Sequence, residues 1–121
     1  MQIVRGDDKT FSIDRYDADG KLITDKAKEL AITCKENAYT NKVIFQKKLS
    51  ANDIEFKDGI YSFEIKGSDT EKLSYGTYYL DVVVYENSKK RTVHLDELEV
   101  TKHYNFNEGE MLNENWRWCF N

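Results

Sequence analysis

The stretch Thr77-Tyr78-Tyr79-Leu80-Asp81-Val82-Val83-Val84-Tyr85 constrains the fold more than any other part of the chain. β-Branched and aromatic side chains fit the pleated, half-buried surface of a sheet, whereas in a helix they lose rotamer freedom. Both faces of this run are largely apolar, which predicts a central strand. Asp81 is the exception, and a buried Asp81 needs a hydrogen-bond partner.

Around this strand, short apolar-periodic runs alternate with turn signals about every ten residues, the rhythm of a sandwich or barrel. Thr10 to Tyr16 alternates, with Phe11 and Ile13 on one face. Asp17-Ala18-Asp19-Gly20-Lys21 predicts a hairpin turn with a bulge, because Gly20 takes positive φ at no steric cost, and Lys21 to Thr24 is the short return strand. Glu29 to Lys35 places Leu30, Ile32 and Cys34 inward. Lys42 to Leu49 carries an apolar run that suits a strand better than a helix. After a turn at Asp58-Gly59, Ile60 to Lys66 alternates cleanly, with Tyr61, Phe63 and Ile65 inward and Ser62, Glu64 and Lys66 outward.

Ser68 and Glu71 have capping-box spacing, and Gly76 follows closely. This predicts at most one or two helical turns, carrying the chain from one sheet to the other. Glu86 to Lys90 is a turn, and Arg91 to Thr101 returns as the last strand. Its apolar phase shifts between Val93, Leu95 and Leu98, Val100, which predicts a bulge near Asp96-Glu97. The expectation is an all-β antiparallel sandwich of about seven strands. Tyr61, Phe63, Ile65, Tyr78, Leu80 and Val82 should form much of its core.

A chain of 121 residues is near the commonest size for one domain. Splitting it would leave pieces too small to bury adequate cores. Hydrophobic residues at 40% supply one core, and charged residues at 33% are mixed along the chain rather than blocked. Pro is absent and the six Gly are spread, so no flexible linker is visible. With a net charge of −4 and only the short basic runs Lys47-Lys48 and Lys89-Lys90-Arg91, a nucleic-acid partner is not expected. The amino-terminal residues lack an apolar signal core and no apolar run is long enough for a bilayer, so synthesis in the cytosol and no membrane partner are expected.

No catalytic, cofactor or metal residues are expected. Cys34 shares a strand face with Leu30 and Ile32 and reads as a small core residue. A Cys34–Cys119 bridge is not expected in a reducing cytosol, and the order Cys34, His94, His103, Cys119 fits no zinc spacing. Asp14, Asp17 and Asp19 before Gly20 invite a calcium reading. EF-hand spacing would put ligands at Arg15 and Lys26, both cations, so only a looser site shared with another loop stays open. Arg5-Gly6-Asp7 is the integrin tripeptide, but its simpler reading is a turn into the Phe11 strand. His94 lies in a strand beside Val93 and Leu95, and Glu97 and Glu99 share one solvated strand face. There is no nucleophile elbow and no phosphate-binding glycine loop.

The tail from Lys102 to Asn121 carries Tyr104, Phe106, Trp116, Trp118 and Phe120. Trp116, Trp118 and Phe120 would share one face of a strand, and Asn107-Glu108-Gly109-Glu110 could turn a hairpin. These five aromatics are the candidate interface, packing on this chain or on a neighbouring subunit; a sugar-stacking platform is the third reading.

Gly59-Ile60-Tyr61-Ser62-Phe63-Glu64-Ile65 followed by Asp69-Thr70-Glu71-Lys72-Leu73-Ser74-Tyr75-Gly76-Thr77-Tyr78-Tyr79-Leu80-Asp81-Val82 resembles the immunoglobulin-like domains of phage baseplate upper proteins and related small phage structural proteins. The Arg5-Gly6-Asp7-Asp8 entry, the Asp17-Ala18-Asp19-Gly20 turn, Phe45-Gln46-Lys47 and Arg91-Thr92-Val93 fit the same pattern. The resemblance covers residues 2–101 and leaves out the Trp-rich tail. It implies an immunoglobulin-like sandwich over residues 1–101, with residues 102–121 as a C-terminal extension. It also implies a non-enzymatic tail or baseplate module, made in the host cytoplasm and assembled into the virion with other phage structural proteins or copies of itself. No catalytic residue carries over. A carbohydrate-binding or cell-surface adhesion domain is the alternative, and a phage-encoded inhibitor of a host enzyme is the weaker one.

Overall fold

The computed structural model describes residues 1–102. The calls on His103, Tyr104, Phe106, Trp116, Trp118, Cys119 and Phe120, and on the extension they belong to, lie outside the described residues. Eight strands and one helical turn follow in the order β1 (Gln2–Val4), β2 (Lys9–Ile13), β3 (Glu29–Lys35), β4 (Val43–Lys48), β5 (Ile54–Lys57), β6 (Ile60–Ile65), α1 (Gly67–Thr70), β7 (Gly76–Glu86) and β8 (Lys89–Thr101). The fold is all-β. One sheet has five strands in the order β1-β8-β7-β3-β4 and the other has three in the order β2-β6-β5. Among the described residues no helix is long and apolar enough to cross a membrane.

Period-two alternation sorts the side chains between a shared core and the outside. Leu30, Ile32 and Cys34 of β3, Tyr78, Leu80 and Val84 of β7, and Leu98 and Val100 of β8 come from the larger sheet. They join Ile54 of β5 and Tyr61, Phe63 and Ile65 of β6 in one buried cluster. Phe11 stacks on Phe63 with ring centroids 6.0 Å apart, and Phe56 leans on Tyr61 at 4.7 Å. Of the six residues expected in the core, five are buried and Val82 is half-buried against the cluster.

Several details differ from the sequence expectation. Among the described residues the strands number eight, because β1 and β5 are too short for alternation to reveal them. The large sheet is mixed rather than wholly antiparallel, since β1 runs parallel to β8 with Ile3 opposite Val100. The return strand at Lys21 to Thr24 shrinks to a single bridge, Tyr16 to Leu22. There the Asp17 carboxylate accepts from the backbone N–H of Asp19 and of Lys21, both at 2.9 Å, and closes the turn locally. Leu22 stays exposed, so no burial rewards extending the pairing.

The helical turn does join the two sheets, but with a different cap. The carboxylate of Asp69 accepts from the N–H of Lys66 at 2.8 Å, so Lys66 and Asp69 stand where Ser68 and Glu71 were expected. A tertiary contact fixes that start. The N–H of Gly67 donates to Asp8 at 2.6 Å, and a Cβ at Gly67 would strike the carbonyl of Gly6. The bulge in β8 falls one residue before the expected pair: Leu80 faces Asp96 while Asp81 faces His94, leaving Leu95 extra. The turns at Asp58-Gly59 and Asn87-Ser88 both have positive φ at their two central residues, the two-residue hairpin geometry that matches strand twist.

Candidate functional site on the outer face of the five-stranded sheet

The inner face of the large sheet is committed to the core. Its outer face is not covered by any strand or helix among the described residues. Register assigns that face in rows. Lys90, Tyr85 and Glu29 form one row; Thr92, Val83, Ala31 and Lys48 the next; His94, Asp81, Thr33 and Gln46 the third; Glu97, Tyr79 and Lys35 the fourth. Ala31 is only 4% exposed yet takes no part in the core cluster, because longer neighbours on this outer face cover it.

A polar network occupies the middle of the face. Asp81 lies 3.4 Å from Lys35 Nζ and 3.6 Å from His94 Nδ1, so the charged residue in the middle of the central strand has two polar partners. The His94 ring leans against Tyr79 with centroids 5.2 Å apart. The Thr33 hydroxyl accepts from Gln46 Nε2 at 2.9 Å. An Asp–His pair can serve a nucleophile, but the hydroxyl in this row is already held by an amide, and the network reads as a cross-link of three strands.

Toward the β7–β8 turn the face dips into a groove of about 720 Å³, lined by Lys28, Glu29, Ala31, Gln46, Lys48, Val83, Tyr85, Glu86, Ser88, Lys89 and Lys90. Its two carboxylates are engaged. Glu86 receives both terminal nitrogens of Arg15, at 2.6 and 3.0 Å, which holds its carboxyl below the ordinary range and raises the guanidinium. Glu29 accepts from the backbone of Ser50 and of Leu30, both at 3.0 Å, and hydrogen bonding from Ser50 lowers its pKa. Tyr85 is 39% exposed, with Lys90 Nζ 6.0 Å from its ring centroid.

The other residues singled out in the sequence do not gather at this face. Arg5 donates to the Leu73 carbonyl at 3.2 Å and to the Tyr75 hydroxyl at 2.8 Å, with its guanidinium 4.2 Å from that ring, while the Gly6 N–H donates to Thr70 at 3.0 Å. The Arg5-Gly6-Asp7 tripeptide is thus the turn between β1 and β2, docked on the helical corner. Asp14 accepts from the Tyr16 hydroxyl at 3.1 Å and Asp17 closes its own turn. No group of three or more His, Cys, Asp or Glu side chains converges among the described residues. Cys34 is a core residue, and burial pushes its thiol up to about 12. Glu97 and Glu99 share the outer side of β8, where Glu99 accepts from Gln2 at 3.2 Å.

The groove was missed from sequence because its lysines come from three separate places. Alternation also splits Lys47 from Lys48: Lys47 turns the other way and pairs with Asp69 at 2.7 Å. The available signal was the second apolar face of β7, Val83 and Tyr85, lying above Ala31.

Fold and face together define a small all-β domain with an open, polar sheet surface. No protein-family model and no curated protein matches the chain. Among solved structures it is similar to the endo-β-1,4-mannanase from Thermotoga petrophila, at 14% identity and a TM-score of 0.52, over 84% of this chain and 17% of that one. At that identity the likeness concerns the fold alone, and this chain corresponds to a small part of that enzyme's length.

Proposed function

We propose that the chain is a non-enzymatic structural or assembly module of a phage tail or baseplate, built as an immunoglobulin-like sandwich. The observation that carries this reading is the corner where the family-like residues fall. The order β2-β6-β5 opposite β8-β7-β3 with β4 alongside corresponds to the B-E-D and G-F-C-C′ arrangement of immunoglobulin sandwiches. At the start of β7, the Tyr78 hydroxyl donates to the Ser74 carbonyl at 2.7 Å, the tyrosine corner such folds carry at that crossover. Burial raises the Tyr78 phenol above its ordinary pKa, keeping it a donor.

The residues of the phage-like segment build this corner. Asp69 caps the helical turn and pairs with Lys47, and Thr70 is fully buried and holds the Gly6 N–H. Gly76 opens β7 with φ 146°, a conformation L side chains rarely adopt. These are scaffold roles, which favours a module that positions partners over one that transforms a substrate. The open face of the larger sheet is the surface such a module would offer. Mass spectrometry of purified phage particles from the source culture tests it: the chain should co-fractionate with tail or baseplate proteins in fixed ratio. Particles that lack it overturn the reading.

A further inference from the structure

We propose that the groove at the β7–β8 end of the outer sheet face binds an anionic carbohydrate, a chain of sugar rings bearing carboxylates. The inference is independent of whether the protein belongs to a virion. The first argument is charge. The whole chain carries −4, yet Lys28, Lys48, Lys89 and Lys90 converge on one groove. None of the four is in an ion pair with a described carboxylate. Of the two acids in the lining, Glu86 is neutralised by Arg15 and Glu29 is turned onto backbone N–H groups. The groove therefore presents excess positive charge on an acidic protein, which attracts and retains anions.

The second argument is shape. The volume of about 720 Å³ falls within the range of small-ligand sites, in a groove open to solvent along one side. Val83 and Ala31 floor it and the half-exposed ring of Tyr85 forms an apolar wall, a surface on which the C–H face of a sugar ring can stack. The amide of Gln46 and the hydroxyl of Ser88 stand beside them to meet ring hydroxyls.

The third argument separates this ligand from other anions. The floor strands β3 and β7 are both interior strands, paired on each side, so the apolar floor itself offers an acidic peptide no backbone edge; the edges of β4 and of β8 border the groove, and the peptide arm of the test reads that alternative. A single-stranded nucleic acid needs successive aromatic platforms, and among the described residues Tyr85 is the one aromatic lining the groove.

The test is calorimetric titration of the full chain with a galacturonate oligosaccharide, against a neutral manno-oligosaccharide of equal length, an acidic peptide and a short oligonucleotide. Binding should be confined to the galacturonate and should weaken as salt rises. The double variant Lys89→Gln/Lys90→Gln removes two exposed charges at a turn and should weaken binding about two- to thirtyfold, from typical exposed ion-pair strengths. Tyr85→Ala should weaken it further, with an unchanged circular dichroism spectrum as the folding control. Equal binding of the neutral sugar, preference for the peptide or the oligonucleotide, no binding to the galacturonate, or full affinity in the lysine variant each overturns the proposal.

Discussion

Two tyrosines carry the same atom into opposite jobs, and removing it separates them. The Tyr61 hydroxyl accepts from the Ala27 N–H at 3.0 Å, with Tyr61 fully buried and Ala27 3% exposed. The Tyr78 hydroxyl donates to the carbonyl of Ser74, an exposed residue. Tyr→Phe at either site leaves the ring in place, so the cavity term is small and the hydrogen bond dominates. At Tyr61 the change strands a buried donor that water cannot reach, which costs about 1–3 kcal/mol. At Tyr78 the freed carbonyl turns to water, and only the net value of one hydrogen bond is lost, about 0.5–1.5 kcal/mol. Urea denaturation of the two variants beside the parent, analysed at constant slope, measures both losses. Each kcal/mol also lowers Tm by about 4 °C for a domain of this size. The Tyr61 variant should be the less stable of the two. If Tyr78→Phe costs as much or more, the corner bond is worth more than its exposed acceptor allows and the burial argument is wrong.

Phe63, 2% exposed and stacked on Phe11, should lose about 3–5 kcal/mol on Phe63→Ala; a loss under about 1 kcal/mol in urea melts would mean the two sheets do not share this core. Gly67→Ala should destabilise by about 1–3 kcal/mol, because its methyl meets backbone at Gly6 rather than a movable side chain; an unchanged melting temperature would show that the Arg5–Asp8 turn is not docked there. The carboxyl of Glu86 is depressed by Arg15, so its contribution is present above the ordinary carboxylate value of about 4.3 and disappears as pH falls through the lower folded-state value. The stability gap between the parent and Glu86→Gln should therefore be open at neutral pH and close on acidification; a gap that is constant with pH rules the pair out as its cause.

What could be read from the sequence and what could not divide along a physical line. Wherever a strand is long enough to alternate several times, its inward set follows from composition: Tyr61, Phe63 and Ile65 on β6, and Leu30, Ile32 and Cys34 on β3, are buried as the pattern requires. β1 has three residues and one inward side chain, Ile3, so nothing local distinguishes it from a loop; its pairing to β8 is a gain visible only once Val100 lies opposite. The helical cap is similar. Ser68 and Glu71 satisfy the spacing rule, but Asp8 and Gly6, far back in the chain, select Gly67 as the start, and Asp69 then becomes the residue that reaches back.

The outer face extends the same reasoning to function. A core announces itself through apolar periodicity, because every inward position is asked for the same property. A binding face is asked for different properties at adjacent positions, and its members arrive from different strands. Lys48 is on this face and Lys47 is not, although the sequence presents them as one basic run; the pleat assigns one to the groove and the other to Asp69. Lys28 and Lys89, distant in sequence, are neighbours only because β3 and β7 pair with Glu29 opposite Tyr85. A charge pattern on a sheet therefore has to be read after the register is known, and in this protein that order turns two short basic runs beside turns into one cationic groove.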